Sequence, residues 1–586
     1  MIRSSVFVSV ALAVASCGGD GPSGASCDSW TQWGQAAEHR GTSCVAGQPM
    51  TRSLRTITYD TLVEDEKTDA GGELLVHYQT PLTVDDDLYM MWKDGVYTPC
   101  VHTDNMPTVC DPYRTQTQVW SEKGYRWENG TLSEKWTFAS DWKPMPGPGN
   151  LTFEPMFQPA VFGDFIYVPG AGGTVHKLGR KDGLPVTRLQ PFGATVDPDR
   201  YVTGPITVDG DGNLYYNSVK LDHDHPYTTD AEAELVKISA DGTMKTASFA
   251  AIVSGAPAPT DLCRGAFTNT ILFPRPWPPA DDENGKVLPP TFPCQSQRPS
   301  WNIAPAIGPD GTVYTVSRAH ATDRVAFVVA VNPDLSPKWT RSLKNIYDDA
   351  CGGPFLPIDG DENHPFDCRI GTTPGIDPNT NEMPSGRAID SSSSSPVALP
   401  DGSVLYGTYT GYNIARGHLV KLSATGAVVA NFGFGWDVTP AVWQHDGTYS
   451  IVIKDNYYTF DQNGTALGPY YVRQLDASLQ TEWQYTSTNT MSCALDDTGQ
   501  KVCTDDHPHG FEWCINAPAV DKNGVVYANN EDGNIYAIPQ GGDANLAGVT
   551  SMFLQQALGS AYTPLAIDAQ GRILALNDGR LTIIGQ

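Results

Sequence analysis

Two histidine-bearing stretches concentrate metal-ligating side chains. Leu-Asp-His-Asp-His-Pro at 221–226 sets His223 and His225 among carboxylates, and Thr-Asp-Asp-His-Pro-His-Gly at 504–510 groups Asp505, His507 and His509. Imidazole with carboxylate is a donor mix suited to divalent cations. Neither stretch completes a ligand set, and imidazoles two residues apart on a loop often only face water. Asp-Gly-Asp-Glu-Asn-His-Pro at 359–365 has the same character. Asp-Gly-Asp-Gly-Asn at 209–213 reads as the opening of a calcium loop, but lacks the downstream glutamate and falls where a tight turn is expected. Trp277, Trp301 and Trp513 lie in or near proline- and cysteine-bearing loops. They are candidates for stacking on a sugar or quinone, with local packing as the alternative. No GxSxG, HExxH, phosphate loop, CxxC zinc pair or CxxCH haem attachment occurs.

What must position these loops is a repeat. Aligned on a proline, eight segments share one form: a small residue, Pro, a short apolar run, a turn usually containing Gly, then an alternating strand. The prolines are Pro81, Pro159, Pro205, Pro305, Pro396, Pro440, Pro518 and Pro564. Asp-Gly and Asn-Gly favour tight hairpins because both central residues of a type I′ turn need positive φ. A second hairpin follows most copies, for example 326–343, 418–432 and 472–487. Each unit therefore predicts four strands, A to D, and the shortest spacings between prolines match a four-stranded propeller blade. The expectation is an all-β, eight-bladed propeller of antiparallel blades around a central channel. The last copy stops one strand short, and 54–62 is a candidate to complete it.

Within such a blade, A–B and C–D turns share one face, while B–C and blade-to-blade connections share the other. Long insertions at 94–116, 251–300, 344–394 and 488–513 all map to the second face. Proximity pairs Cys100 with Cys110, Cys263 with Cys294, Cys351 with Cys368, Cys493 with Cys503, and Cys27 with Cys44. A Cys503–Cys514 bond is a rival. Long ordered loops on a rigid scaffold are usual places for binding; a protective lid is the alternative.

The first residues, MIRSSVFVSVALAVASC, join a basic start to a short apolar run. Val-Ala-Ser-Cys resembles the lipobox of bacterial lipoproteins, which implies a signal peptide over 1–16 and lipidation of Cys17. A lipidated cysteine and flexible tether are expected over 17–53, and one propeller domain over 54–586. The site would be the bacterial outer membrane, on its periplasmic face or the cell surface, where cysteines form disulfides. Asp and Glu outnumber Lys and Arg by 66 to 38, a formal charge of −28 that repels nucleic acid. A monomer is expected.

The repeats resemble those of the PQQ-like (quinoprotein-like) β-propellers, in which a tryptophan between strands C and D docks neighbouring blades. Trp136, Trp339 and Trp483 hold that position here, although the Thr-Gly that usually precedes it is degenerate. The resemblance implies either of two functions. One is a non-catalytic, lipid-anchored propeller that binds an envelope protein, glycan or cation through its loop face, with Ca²⁺ or another divalent ion as a candidate ligand. The other is a divergent PQQ-dependent dehydrogenase oxidising an alcohol or sugar. Family dehydrogenases use calcium, a catalytic Asp, a tryptophan floor and usually adjacent cysteines. No adjacent cysteine pair exists here, so no catalytic residue is carried across.

Overall fold

An alternating strand shows side chains to both faces of its sheet, so radially stacked sheets bury both faces of every blade. The computed structural model describes residues 26–586 except 71–78, 104–105, 148–155, 267–289, 354–355, 359–367, 369–372, 378, 381, 412–415, 435–437, 461–465, 497, 514, 516 and 556–562. Each proline-led copy opens one antiparallel sheet, giving eight blades. The innermost A strands are Leu82–Val84, Ala160–Phe162, Thr207–Val208, Ala306–Ile307, Val397–Ala398, Ala441–His445, Ala519–Val520 and Ala566–Ile567. Two short strands, Arg200–Val202 and Gln297–Pro299, extend the third and fourth blades alongside their B strands.

Asp209–Asn213 is a turn and not a calcium loop. Asp209 Oδ1 accepts the amides of Asp211 and Asn213, at 3.0 and 2.9 Å, and Oδ2 accepts Asn213 Nδ2 at 2.8 Å. That carboxylate is committed to its own backbone, as expected of an Asx-type turn.

Blade contacts follow the tryptophan expectation. Trp136 Nε1 donates to Arg180 O of the next blade at 3.0 Å, and Trp339 Nε1 to Ala424 O at 2.8 Å. Trp483 Nε1 reaches Gln540 Oε1 at 3.1 Å. Each ring lies where a glycine leaves room. A Cβ on Gly183, Gly426 or Gly542 would come within 2.6–2.7 Å of the facing indole. All three glycines also sit at positive φ, where only glycine is at ease.

Residues Arg52–Thr58 pair antiparallel with Arg580–Gly585 as the outer strand of the eighth blade. The ring thus closes by joining the two ends of the chain, and an otherwise open sheet edge is covered.

One segment departs from expectation. Residues 27–48, read as part of a free tether, enter the axis of the propeller and are largely buried. Trp30 and Trp33 are almost fully buried. The innermost strand of each blade leaves backbone groups facing the axis, and this segment meets them in blade order. Trp30 and Thr83 exchange hydrogen bonds of 2.9 and 2.8 Å; Thr31 O accepts Val161 N at 2.8 Å. The Gln32 amide stands in for a peptide group, accepting from Val208 N at 2.7 Å and donating to Val208 O at 3.0 Å. The carbonyls of Ala37, Glu38, Arg40 and Gly41 then accept the amides of Ile307, Ala398, Val442 and Val520 at 2.7–3.0 Å. Gln48 N closes the circuit on Gly571 O at 2.7 Å. The predicted channel is therefore plugged near its A–B end, and the Cys27–Cys44 disulfide ties the two ends of the plug together.

Candidate functional site

The opposite, loop-bearing face is built by four connections. The first joins strands Asp87–Gly95 and Gln118–Glu128 of blade 1; the others precede the A strands of blades 4, 5 and 7. Each carries one of the expected disulfides: Cys100–Cys110, Cys263–Cys294, Cys351–Cys368 and Cys493–Cys503. The bond to Cys493 removes the Cys503–Cys514 rival; Cys514 itself lies outside the described residues, as do Cys17, Trp277 and 359–365.

Ion pairs lock the insertions before blades 4 and 5 to each other. Arg298, before blade 4, grips Asp390, before blade 5, with two parallel 2.7 Å bonds, and Arg318 adds a third at 3.0 Å. Burial pushes the Asp390 carboxyl up, but Arg298 and Arg318 outweigh it and hold it at about 2. Arg298 Nε also donates to His320 Nδ1 at 2.8 Å, and His320 Nε2 faces Pro226 O at 3.1 Å. Burial, then the two guanidinium charges, lower His320 to about 3, so it serves as a neutral link.

Asp349 anchors the insertion before blade 5 on that blade, receiving His418 Nε2 at 2.8 Å, Arg416 Nε at 3.2 Å and the Thr410 hydroxyl. The other nitrogen of His418 faces Asn431 Nδ2 at 3.1 Å. Both ring nitrogens are committed to protein groups, and the Asp–His pair acts as a structural anchor.

The sequence-predicted metal candidates are not gathered. His223 Nδ1 lies 2.9 Å from Asp199 and its ring stacks on Tyr113, while His225 lies 3.5 Å from Asp222. His507 lies 2.6 Å from Asp506 and stacks on Phe511. Asp505 ends the strand Lys501–Asp505, and His509 lies with His507 in the loop that follows. Among the described residues no three His, Cys, Asp or Glu side chains are placed to hold a metal ion. His223, His225 and His507 each lie beside a single carboxylate instead.

Trp301 and Trp513 are buried, which removes them as exposed stacking platforms. Trp513 Nε1 donates to Tyr470 O at 3.2 Å and its ring meets Tyr485 and Tyr536 edge-on. Trp301 packs under Arg298 and beside Tyr227. Both wedge the bases of the insertions against the blades.

Just before the A strands, neutral groups stitch blade to blade. Gln158 bonds Thr80 N at 2.7 Å, Asn302 N bonds Thr203 O at 2.7 Å, and Ser395 Oγ accepts Ala304 N at 2.9 Å. Ser395 N in turn reaches Thr439 Oγ1 at 3.1 Å, and Asn529 Nδ2 reaches Thr563 Oγ1 at 2.8 Å. None of these groups supplies a carboxylate base or a charged calcium ligand. With the plug filling the other end, the axial residues named here do not fit a quinone–calcium pair.

The chain is an eight-bladed β-propeller of four-stranded antiparallel sheets, with disulfide-stapled loops on one face. No family model and no curated protein matches its sequence. Among solved structures, a europium-containing methanol dehydrogenase aligns over 94% of this chain and 89% of that one, with 10% identity and a TM-score of 0.46. The quinohemoprotein alcohol dehydrogenase from Comamonas testosteroni aligns over 96% and 77%, with 10% identity and a TM-score of 0.47. BamB from Moraxella catarrhalis aligns over 73% and 94%, with 12% identity and a TM-score of 0.30. These likenesses concern the arrangement of blades and assign no activity.

Proposed function

We propose that this chain is a lipid-anchored, non-catalytic propeller of the bacterial cell envelope that binds a protein or glycan partner through its loop face. The observation that carries this reading is the stapled rim: four disulfide-bearing insertions on one face, two of them joined by the Arg298–Asp390 grip. A surface ordered in advance loses little entropy on binding. The position of the plug adds an orientation. Cys27, exposed, lies beside Cys44, and Val45 O accepts Lys522 N at 3.2 Å in an A–B turn, so the chain leaves the propeller on the face opposite the loops. With Cys17 lipidated, the ten residues from there to Cys27 reach at most roughly 35 Å. The A–B face then looks toward the membrane and the loop face away from it.

A photo-crosslinking residue at Leu495, on the loop face, is expected to give a discrete adduct in intact cells, whereas one at Asp446, in an A–B turn, gives none. Quinone absorbance with alcohol or sugar oxidation, after adding PQQ and Ca²⁺ to the purified protein, would overturn the non-catalytic reading.

A further inference from the structure

Between the insertions before blades 4 and 5 lies a cavity of about 310 Å³, set against the C and D strands of blade 4. Its charge is opposite in sign to that of the chain as a whole. Arg264, Arg324 and Lys344 line it, with Glu382 as the one acidic side chain among the described residues of the lining. Glu382 is shared: Lys344 Nζ lies 2.9 Å from one oxygen and Arg264 Nε 3.2 Å from the other. Arg264 Nε nevertheless has no acceptor in hydrogen-bonding line. Arg324 carries no side-chain ion pair or hydrogen bond among the described residues. The nearby carboxylates that could serve it have other partners, Asp323 holding Arg387 and Asp377 facing Arg416. Burial, then the Arg387 charge, disfavour the Arg324 cation, and Asp377 and Asp323 offset this only in part. A half-buried guanidinium left without an anion is costly unless something else supplies the charge.

The rest of the wall is apolar. Val325 and Phe327 form the floor, and Leu262 and Met383 stand at the rim, 70% and 48% exposed. Exposed large hydrophobics beside Arg324, and beside two cations that share one carboxylate, suit a ligand with a charged head and an apolar body. A guanidinium fork matches a planar carboxylate, and the volume lies at the small end of ligand pockets.

We infer that this cavity binds a small monocarboxylic acid, its carboxylate on Arg324 with Arg264 and Lys344 beside it, and its short apolar chain or ring against Phe327 and the Leu262–Met383 rim. The inference rests on the proposed function only for the choice of face. Its failure would leave the crosslinking test of a macromolecular partner untouched.

Calorimetric titration of the purified chain with benzoate and hexanoate tests it, with the matching amides and inorganic phosphate as controls. The acids are expected to bind, and the amides at least tenfold more weakly. Arg324→Met should abolish acid binding while the melting temperature of the unliganded protein stays level or rises, because an uncompensated charge is removed. Leu262→Ser should weaken both acids several-fold. Phosphate binding as tightly as benzoate, or an Arg324→Met protein that melts well below the parent, would overturn the inference. Equal binding of acid and amide would do so too.

Discussion

At the scale of single residues, the indoles that bridge blades and the imidazole on the axis carry distinct consequences. Trp136 is buried and seated over Gly183. Trp136→Ala is expected to destabilise by roughly 3 kcal/mol, whereas Trp136→Phe should lose only about 1 kcal/mol with the bond to Arg180 O; urea unfolding measures both. His39 lies fully buried in the plug, with Nδ1 2.9 Å from Pro396 O and Nε2 3.4 Å from the Thr207 hydroxyl. Nδ1 must be the donor, because a carbonyl only accepts. Burial lowers its pKa to about 4, the Pro396 bond opposing. Because the unfolded chain takes up the proton first, stability falls as the pH drops from about 6.5 to 4. The loss reaches roughly 3 kcal/mol. Melting curves across that window should show the decline, and His39→Gln should flatten it.

At the scale of elements, the plug works as a shared edge partner. Strand edges facing the axis have unpaired amides, and a segment of irregular backbone satisfies them one blade at a time. Gln32 shows how specific this is, since its side-chain amide replaces a peptide unit. Gln32→Leu would leave Val208 N and O buried without partners, at a cost of roughly 2–4 kcal/mol. Hydrogen exchange at Val208 should accelerate while exchange in distant blades holds.

At the scale of the whole molecule, ring closure and rim rigidity are separable. Closure rests on Arg52–Thr58 beside Arg580–Gly585, and rim rigidity on the grip between Arg298 and Asp390. Arg298→Leu would leave Asp390 with Arg318 as its one cation, beside the Trp301 amide, and is expected to cost roughly 3 kcal/mol. Asp390 is held below its ordinary value, so its contribution is in place above about pH 4 and fades as the pH falls towards 2. Acid-induced loosening should therefore appear first as proteolysis of the insertions at 251–300 and 344–394 in Arg298→Leu, with the blades still intact by far-ultraviolet circular dichroism.

The blades, their count, the closing strand, the docking tryptophans and the side bearing the disulfides were all legible in the chain. Each depends on patterns within one repeat or on a topological rule that alternating strands impose. What Trp30, Gln32 and His39 do was not. Their partners are single amides or side chains drawn from widely separated repeats, and no local period marks such a set. Two tryptophans and two glutamines between Cys27 and Cys44 were the hint that this stretch was no tether. The cavity at Arg324 was equally hidden, because an unpaired charge is a property of what the fold brings near. Periodic order is written along the chain, while axial and inter-loop contacts exist only after the ring has closed.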